Sequence, residues 1–253
     1  MTITFLDVGQ GDATLIETPK GNKILIDVGP DGRVLNSLSK ELHVFDKNIA
    51  AIFITHADLD HAGGIVDVLG YFNVSNIYIS KIAEDSEIYK SMYSELEKHD
   101  DVIVRKLDGS NQVVIDKEYG VVLDILSPIK DYPYKNRNDK SFFMKLTYED
   151  NAFIFSGDAG VEIEEYIIRN SYDSLDSDVL KIGHHGSSSS TSLGFIKAIS
   201  PKYGIISSEK DNEYGHPHQD VLDLLEEEGV IVKRNDEIGN ISFISDGKNI
   251  FVR

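Results

Sequence analysis

The chain has 253 residues, 41% of them hydrophobic, and a formal net charge of −18. That composition supports a sizeable core and excludes a disordered chain, and the acidity argues against a general DNA-binding protein, which needs Lys and Arg to displace counterions from phosphates. There is no cysteine, so disulfides and thiolate metal sites are excluded and any metal must be held by imidazoles and carboxylates. Alternating and β-branched residues predict strands at 3–8, 12–18 and 23–27, the last after a turn at 19–22. A helix is expected over 31–42, a fully buried strand at 49–55, helices at 61–71 and 85–98, and a strand at 76–80 between them. Further strands are read at 102–105, 112–115 and 121–127. Residues 130–140 are polar and form an expected loop that contacts substrate. Strands then follow at 141–148 and 152–156, a helix at 160–169, and a strand at 179–182. The chain closes with helices at 192–199 and 217–228 and strands at 203–207, 230–233, 240–244 and 249–252.

No linker or low-complexity segment interrupts the chain, which predicts a single domain over 1–253. No run approaches the roughly 20 apolar residues that cross a bilayer, and the start resembles a strand rather than a leader, so no membrane segment and a cytoplasmic location are expected. A weak internal repeat gives more information. The hairpin ending Ile24-Leu25-Ile26-Asp27-Val28-Gly29 is matched by one ending Phe153-Ile154-Phe155-Ser156-Gly157-Asp158-Ala159-Gly160, the latter after a turn at 149–151. Each is followed by helical sequence and a buried strand that runs into histidine: Ile54-Thr55-His56 in one half, Ile182-Gly183-His184-His185 in the other. Two halves of this kind predict a layered α/β fold with sheets inside and helices outside.

The segment Thr55-His56-Ala57-Asp58-Leu59-Asp60-His61-Ala62-Gly63-Gly64 is the strongest chemical signal. Two carboxylates this close repel unless a cation or donors compensate them. The competing explanation is an Asp-rich helix N-cap with flanking histidines. Gly63 and Gly64 are read as allowing close backbone packing beside the site.

The pattern His-x-Asp-x-Asp-His resembles the metal-binding signature of the metallo-β-lactamase superfamily, whose commoner form has histidine where this chain has Asp58. Together with residues 5–12, Gly183-His184-His185-Gly186-Ser187, Tyr214-Gly215-His216-Pro217 and 239–241, it is similar to the soluble domain of the ComEC competence family of DNA-uptake proteins. The resemblance implies a four-layer αββα sandwich with two similar halves and two divalent metals, Zn²⁺ or Mn²⁺. It assigns His56 and Asp58 to one metal, Asp60 and His61 to the other, Asp158 to the bridge, and His184 to the second metal. A middle histidine common in the superfamily is missing. His99 lies in a charged helical stretch and is not expected to replace it, and Asn138 and Ser141 occupy the neighbourhood where it would stand. One metal is therefore expected to be held weakly.

Asp60 and His185 are the candidate catalytic residues, His185 as general acid or transition-state stabiliser. His216 is expected to touch substrate or support ligands, and His218 to be structural. Asp7, Gln10, Asp12 and Asp27 are candidates for orienting ligands. The resemblance implies a phosphodiesterase or nuclease in which a metal-activated hydroxide attacks phosphorus, with a phosphodiester, DNA among the candidates, as the substrate; the sequence identifies no partner protein. Alternatives are hydrolysis of a small phosphodiester (a phosphorylcholine ester or cyclic nucleotide), a lactone or a lactam, or a metal-stabilised module without catalysis.

Overall fold

In the computed structural model, which describes residues 1–82, 86–171 and 174–253, the first half begins with β1 (Thr2–Phe5), β2 (Thr14–Glu17), β3 (Lys23–Ile26), α1 (Arg33–Glu41) and β4 (Asn48–Phe53). It continues through α2 (Leu59–Ala62), α3 (Ile65–Tyr71), β5 (Asn73–Ser80), α4 (Glu87–Leu96) and β6 (Ile103–Leu107). The second half holds β7 (Gln112–Asp116), β8 (Val121–Ser127), β9 (Phe143–Tyr148), β10 (Asn151–Phe155), α5 (Val161–Ser171) and β11 (Val179–Lys181). Then come α6 (Leu193–Ile199), β12 (Tyr203–Ile206), α7 (Gln219–Glu227), β13 (Ile231–Arg234), α8 (Asn235–Ile238), β14 (Ile241–Ser245) and β15 (Ile250–Val252).

Among the described residues, one sheet has the order β15-β14-β1-β2-β3-β4-β5-β6 and the other β13-β12-β11-β10-β9-β8-β7. Each half joins an antiparallel hairpin to a parallel block: β2 and β3 lead into β4, β5 and β6, while β9 and β10 lead into β11, β12 and β13. The repeat read in the sequence is a repeat of topology.

Strand alternation sorts side chains between three apolar layers. Phe5, Phe53, Phe153 and Phe243 pack between the sheets. The opposite face of the first sheet packs Ile52 and Ile77 against Val34 and Leu38 of α1, Val68 of α3 and Met92 of α4. The outer face of the second sheet packs Ile154 and Leu180 against Ile163, Phe195 and Leu225 of α5, α6 and α7. The result is a helix–sheet–sheet–helix sandwich. Strand β4 is covered on both faces, which is why it reads as a continuous apolar run rather than an alternating one.

The helix expected over 61–71 is two helices, α2 and α3, broken at Gly63 and Gly64. A Cβ on Gly63 would stand 2.1 Å from the Pro30 carbonyl oxygen, and one on Gly64 would stand 2.3 Å from that of Val28. The backbone there lies flat on the 28–30 turn, and Val28 N–H donates to the His61 carbonyl. Gly63→Ala should therefore lower unfolding free energy by about 2–3 kcal/mol, because a fixed carbonyl cannot yield as a flexible side chain would. A urea midpoint equal to wild type would show that this contact relaxes freely.

The helix expected over 85–98 is α4, opened by Ser86 Oγ accepting from Tyr89 N–H; residue 85 lies outside the described residues. The turn between β9 and β10 is tighter than the sequence pattern implies, with Tyr148 paired to Asn151 and Glu149 in the left-handed region. Helix α8 has no counterpart among the expected elements, and the expected loop at 130–140 ends in a 3₁₀ turn at Asn138–Lys140.

Candidate metal centre

The carboxyl ends of the parallel strands carry every central side chain of the site, the place where open α/β sheets expose polar groups to a ligand. Asp27 follows β3, His56 to His61 follow β4, Asp158 follows β10, and His184 and His185 follow β11. Phe142 N–H donating to the Thr55 carbonyl at 2.9 Å joins the two halves beside it.

Thr55 and Asp27 orient two imidazoles. Asp27 accepts from Thr55 N–H and Oγ1–H, both at 2.7 Å, and from His61 Nδ1 at 2.8 Å. With its one proton given to Asp27, the Thr55 hydroxyl can only accept from His56 Nδ1, 3.2 Å away,. With a cation in the site, both rings would keep their protons on Nδ1 and turn their Nε2 lone pairs inward.

Those lone pairs converge on Asp158. His61 Nε2 lies 3.3 Å from Asp158 Oδ1, and His56 Nε2 lies 3.8 Å from Oδ2. His56 Nε2, His61 Nε2 and Asp158 Oδ1 are buried without a hydrogen-bond partner. Unpaired buried acceptors facing one another are costly unless a cation sits between them, so the donor set fits divalent metals. Imidazole and carboxylate donors without sulfur suit Zn²⁺ or Mn²⁺.

The two adjacent histidines, His184 expected from the resemblance as a ligand of the second metal and His185 as general acid or transition-state stabiliser, face different oxygens of Asp158. His185 Nε2 stands 3.1 Å from Asp60 Oδ2 and 4.0 Å from Asp158 Oδ1. Asp60, His61, Asp158 and His185 form a group whose ligand atoms lie within 4.8 Å of one another. His184 Nε2 lies 3.7 Å from Asp158 Oδ2, on the His56 side, with Nδ1 beside Ser189 Oγ at 3.1 Å. The cause is backbone geometry: His184 and His185 both adopt left-handed conformations, at φ 47° and 56°. Two successive non-glycine residues in that region store strain of order 1–3 kcal/mol each, and they aim the rings to different sides of Asp158. His185 Nδ1 donates to the Ser207 carbonyl at 2.9 Å, leaving Nε2 for the site.

Charge follows the same division. Burial penalises the Asp158 carboxylate, but His61 and His185 outweigh it and hold the group well below the ordinary carboxylate range. Burial would lower His61 and His185, yet Asp158 and Asp27 raise the first well above its usual value, while Asp12 and Asp158 bring the second to about 9. Burial and the neighbouring His61 lower His56 to about 3. In this acidic chain the metal-free site holds protons where a metal would displace them.

Residues 6–208 match the family described as the Metallo-beta-lactamase superfamily. The chain belongs to the metallo-β-lactamase superfamily. Over 95% of its length it is 30% identical to ComE operon protein 3 of Bacillus subtilis and 27% identical to Competence protein ComA of Neisseria gonorrhoeae, covering 32% of each. The chain thus spans about a third of the length of these curated relatives. CmlA, a diiron β-hydroxylase from Streptomyces venezuelae, shares the fold at a TM-score of 0.63 and 13% identity, over 92% of this chain and 52% of that one.

Within this superfamily fold, the remaining candidates divide by contact. Asp12 pairs through Oδ1 with the buried Lys181 ammonium at 2.8 Å and lies 3.5 Å from His185 Nδ1. Asp7 accepts from Gly9 N–H inside its own loop, and Gln10 accepts from Glu209 N–H, so these two shape the loops rather than touch an imidazole. Asn138 lines a cleft of about 460 Å³ with Asp158, His184, Lys135 and Ser189, while Ser141 is buried with its Oγ unpaired against Gly157. His216 meets the His184 ring edge-on, with centroids 5.6 Å apart, and burial plus the His185 charge lower it to about 4. His218 accepts from Ser188 N–H at 3.1 Å, and His99 pairs with Glu95 on α4. Sequence reasoning misses Thr55, Lys181 and Arg137. Lys181 alone carries a signal, as a lone charge inside the apolar run from Val179 to Ile182.

Proposed function

We propose that this chain is a two-metal phosphodiesterase in which His56, Asp58, His184 and Asp158 would hold a first divalent metal, and Asp60, His61, His185 and Asp158 a second. The observation that carries this reading is the set of buried, unpartnered His56 Nε2, His61 Nε2 and Asp158 Oδ1 atoms turned toward one another. The second group is the more compact and more buried, so it is expected to bind more tightly. When bound, such cations supply Lewis acidity to a phosphoryl oxygen and make water nucleophilic near neutral pH.

The chain's own residues prepare the rest. Asp27, Thr55 and the Ser207 carbonyl hold three imidazoles in one tautomer each. His216, neutral at pH 7 and beside His184 and His185, suits a hydrogen-bonding role toward substrate rather than a proton transfer. The cleft beside Asp158 is lined on one side by Lys135, Asn136, Asn138 and Asp139, with Lys135 paired to Glu162. Positive charge for an anionic ester would come from the metals, and the name of the Neisseria relative, Competence protein ComA, favours DNA as the source of that ester,. The net charge of −18 should make binding of long DNA weak and easily screened by salt,.

The deciding assay is hydrolysis of an aryl phosphodiester and a labelled single-stranded oligonucleotide with Mn²⁺, Zn²⁺ or Mg²⁺, run beside lactam and lactone substrates. Phosphodiester cleavage is expected, with Mn²⁺ above Mg²⁺, because Mg²⁺ prefers oxygen ligands and releases water reluctantly. Lactam or lactone opening alone would overturn the substrate class. A fully loaded protein inert to all four substrates would favour a non-catalytic module.

A further inference from the structure

Asp58 stands at the N-cap position of α2, where an aspartate ordinarily turns back to accept an amide hydrogen bond from the first turn. Here no such bond forms. Its Oδ2 lies 4.0 Å from His56 Nε2, and its Oδ1 lies 3.2 Å from Arg137 Nη1, an ion pair by distance rather than an aligned hydrogen bond. Arg137 comes from the other half of the chain, at the head of the 3₁₀ turn Asn138–Lys140. Its side chain is 51% exposed and that of Asp58 is 22% exposed, so the pair reaches from solvent to the edge of the site.

We propose that Arg137 is a positioning residue for the first metal: it holds Asp58 Oδ1, turns Oδ2 toward His56, and latches residues 130–140 over the cleft through that carboxylate. The inference rests on the two-metal reading above and extends it to a residue that touches neither metal nor imidazole. An exposed ion pair contributes little to folding, so Arg137 should matter little for stability. A partner of a metal-binding carboxylate is different, because losing it weakens metal affinity by roughly 10–100-fold.

The test is calorimetric titration with Mn²⁺ alone of the wild-type chain, Arg137→Gln, Arg137→Lys, Asp58→His and the double variant Asp58→His with Arg137→Gln. Arg137→Gln should weaken the looser binding step about 10-fold or more and leave the tighter step and the metal-free melting temperature unchanged. Arg137→Lys should recover most of the loss, since a single nitrogen makes the contact. In the Asp58→His background, where the side chain is a neutral donor, Arg137→Gln should have no further effect. An unchanged isotherm in Arg137→Gln, or the same loss in both backgrounds, overturns the latch while the two-metal reading stands. A wild-type chain that binds no Mn²⁺ overturns both.

Discussion

Asp158→Asn is expected to lose both metals and at least about a thousand-fold in phosphodiester turnover, roughly 4 kcal/mol of barrier. One oxygen of Asp158 faces His61 and His185 and the other faces His56 and His184, so a single neutralisation touches every imidazole of the centre. The fold should survive, because asparagine has the same shape and the side chain sits at a strand end rather than in an apolar layer. Metal content by elemental analysis, circular dichroism and turnover should be measured on one preparation. Turnover within about 10-fold of wild type, only ~1.4 kcal/mol, would contradict a direct metal role.

The second large effect separates two adjacent histidines. His185→Asn should remove the tighter metal equivalent, because His185 closes the compact group with Asp60, His61 and Asp158. His184→Asn should spare that equivalent and weaken the other, since its ring lies on the Oδ2 side. Asparagine is chosen because both positions have positive φ, which it tolerates better than alanine, so a loss reports the imidazole rather than the backbone,. The readout is stoichiometry and affinity for Mn²⁺, with turnover as a second measure. If His185→Asn keeps both metals and lowers only turnover, His185 returns to the general-acid role and His184 to the second metal.

Much of the fold is legible in the order of residues along the chain. The buried strand ending in Thr55-His56, the hairpins ending in Asp27 and Asp158, and the period of the apolar residues are local properties, set by which side chains can bury on a strand or helix face. They predict two similar halves, layered sheets and a centre at the strand ends, because a repeated local pattern repeats its local structure wherever it falls. The break at Gly63 and Gly64 is not legible in that way: helical periodicity runs through it, and only the Pro30 and Val28 carbonyls packed beneath show why the chain must flatten there.

The division of the site is decided by tertiary structure alone. His184 and His185 are adjacent and chemically identical, so no pattern of residue types says which ring faces which oxygen of Asp158. That choice comes from the left-handed backbone at both positions and from the Ser207 carbonyl, which β12 delivers to His185 Nδ1. Lys181 and Asp12 meet across the two halves for the same reason, as do Arg137 and Asp58: each pair joins segments far apart in sequence. The sequence alone determined which residue types end the strands, since that depends on burial along each segment. Only the packing of one half against the other determined their partners, because an ion pair is a property of distance and not of order along the chain.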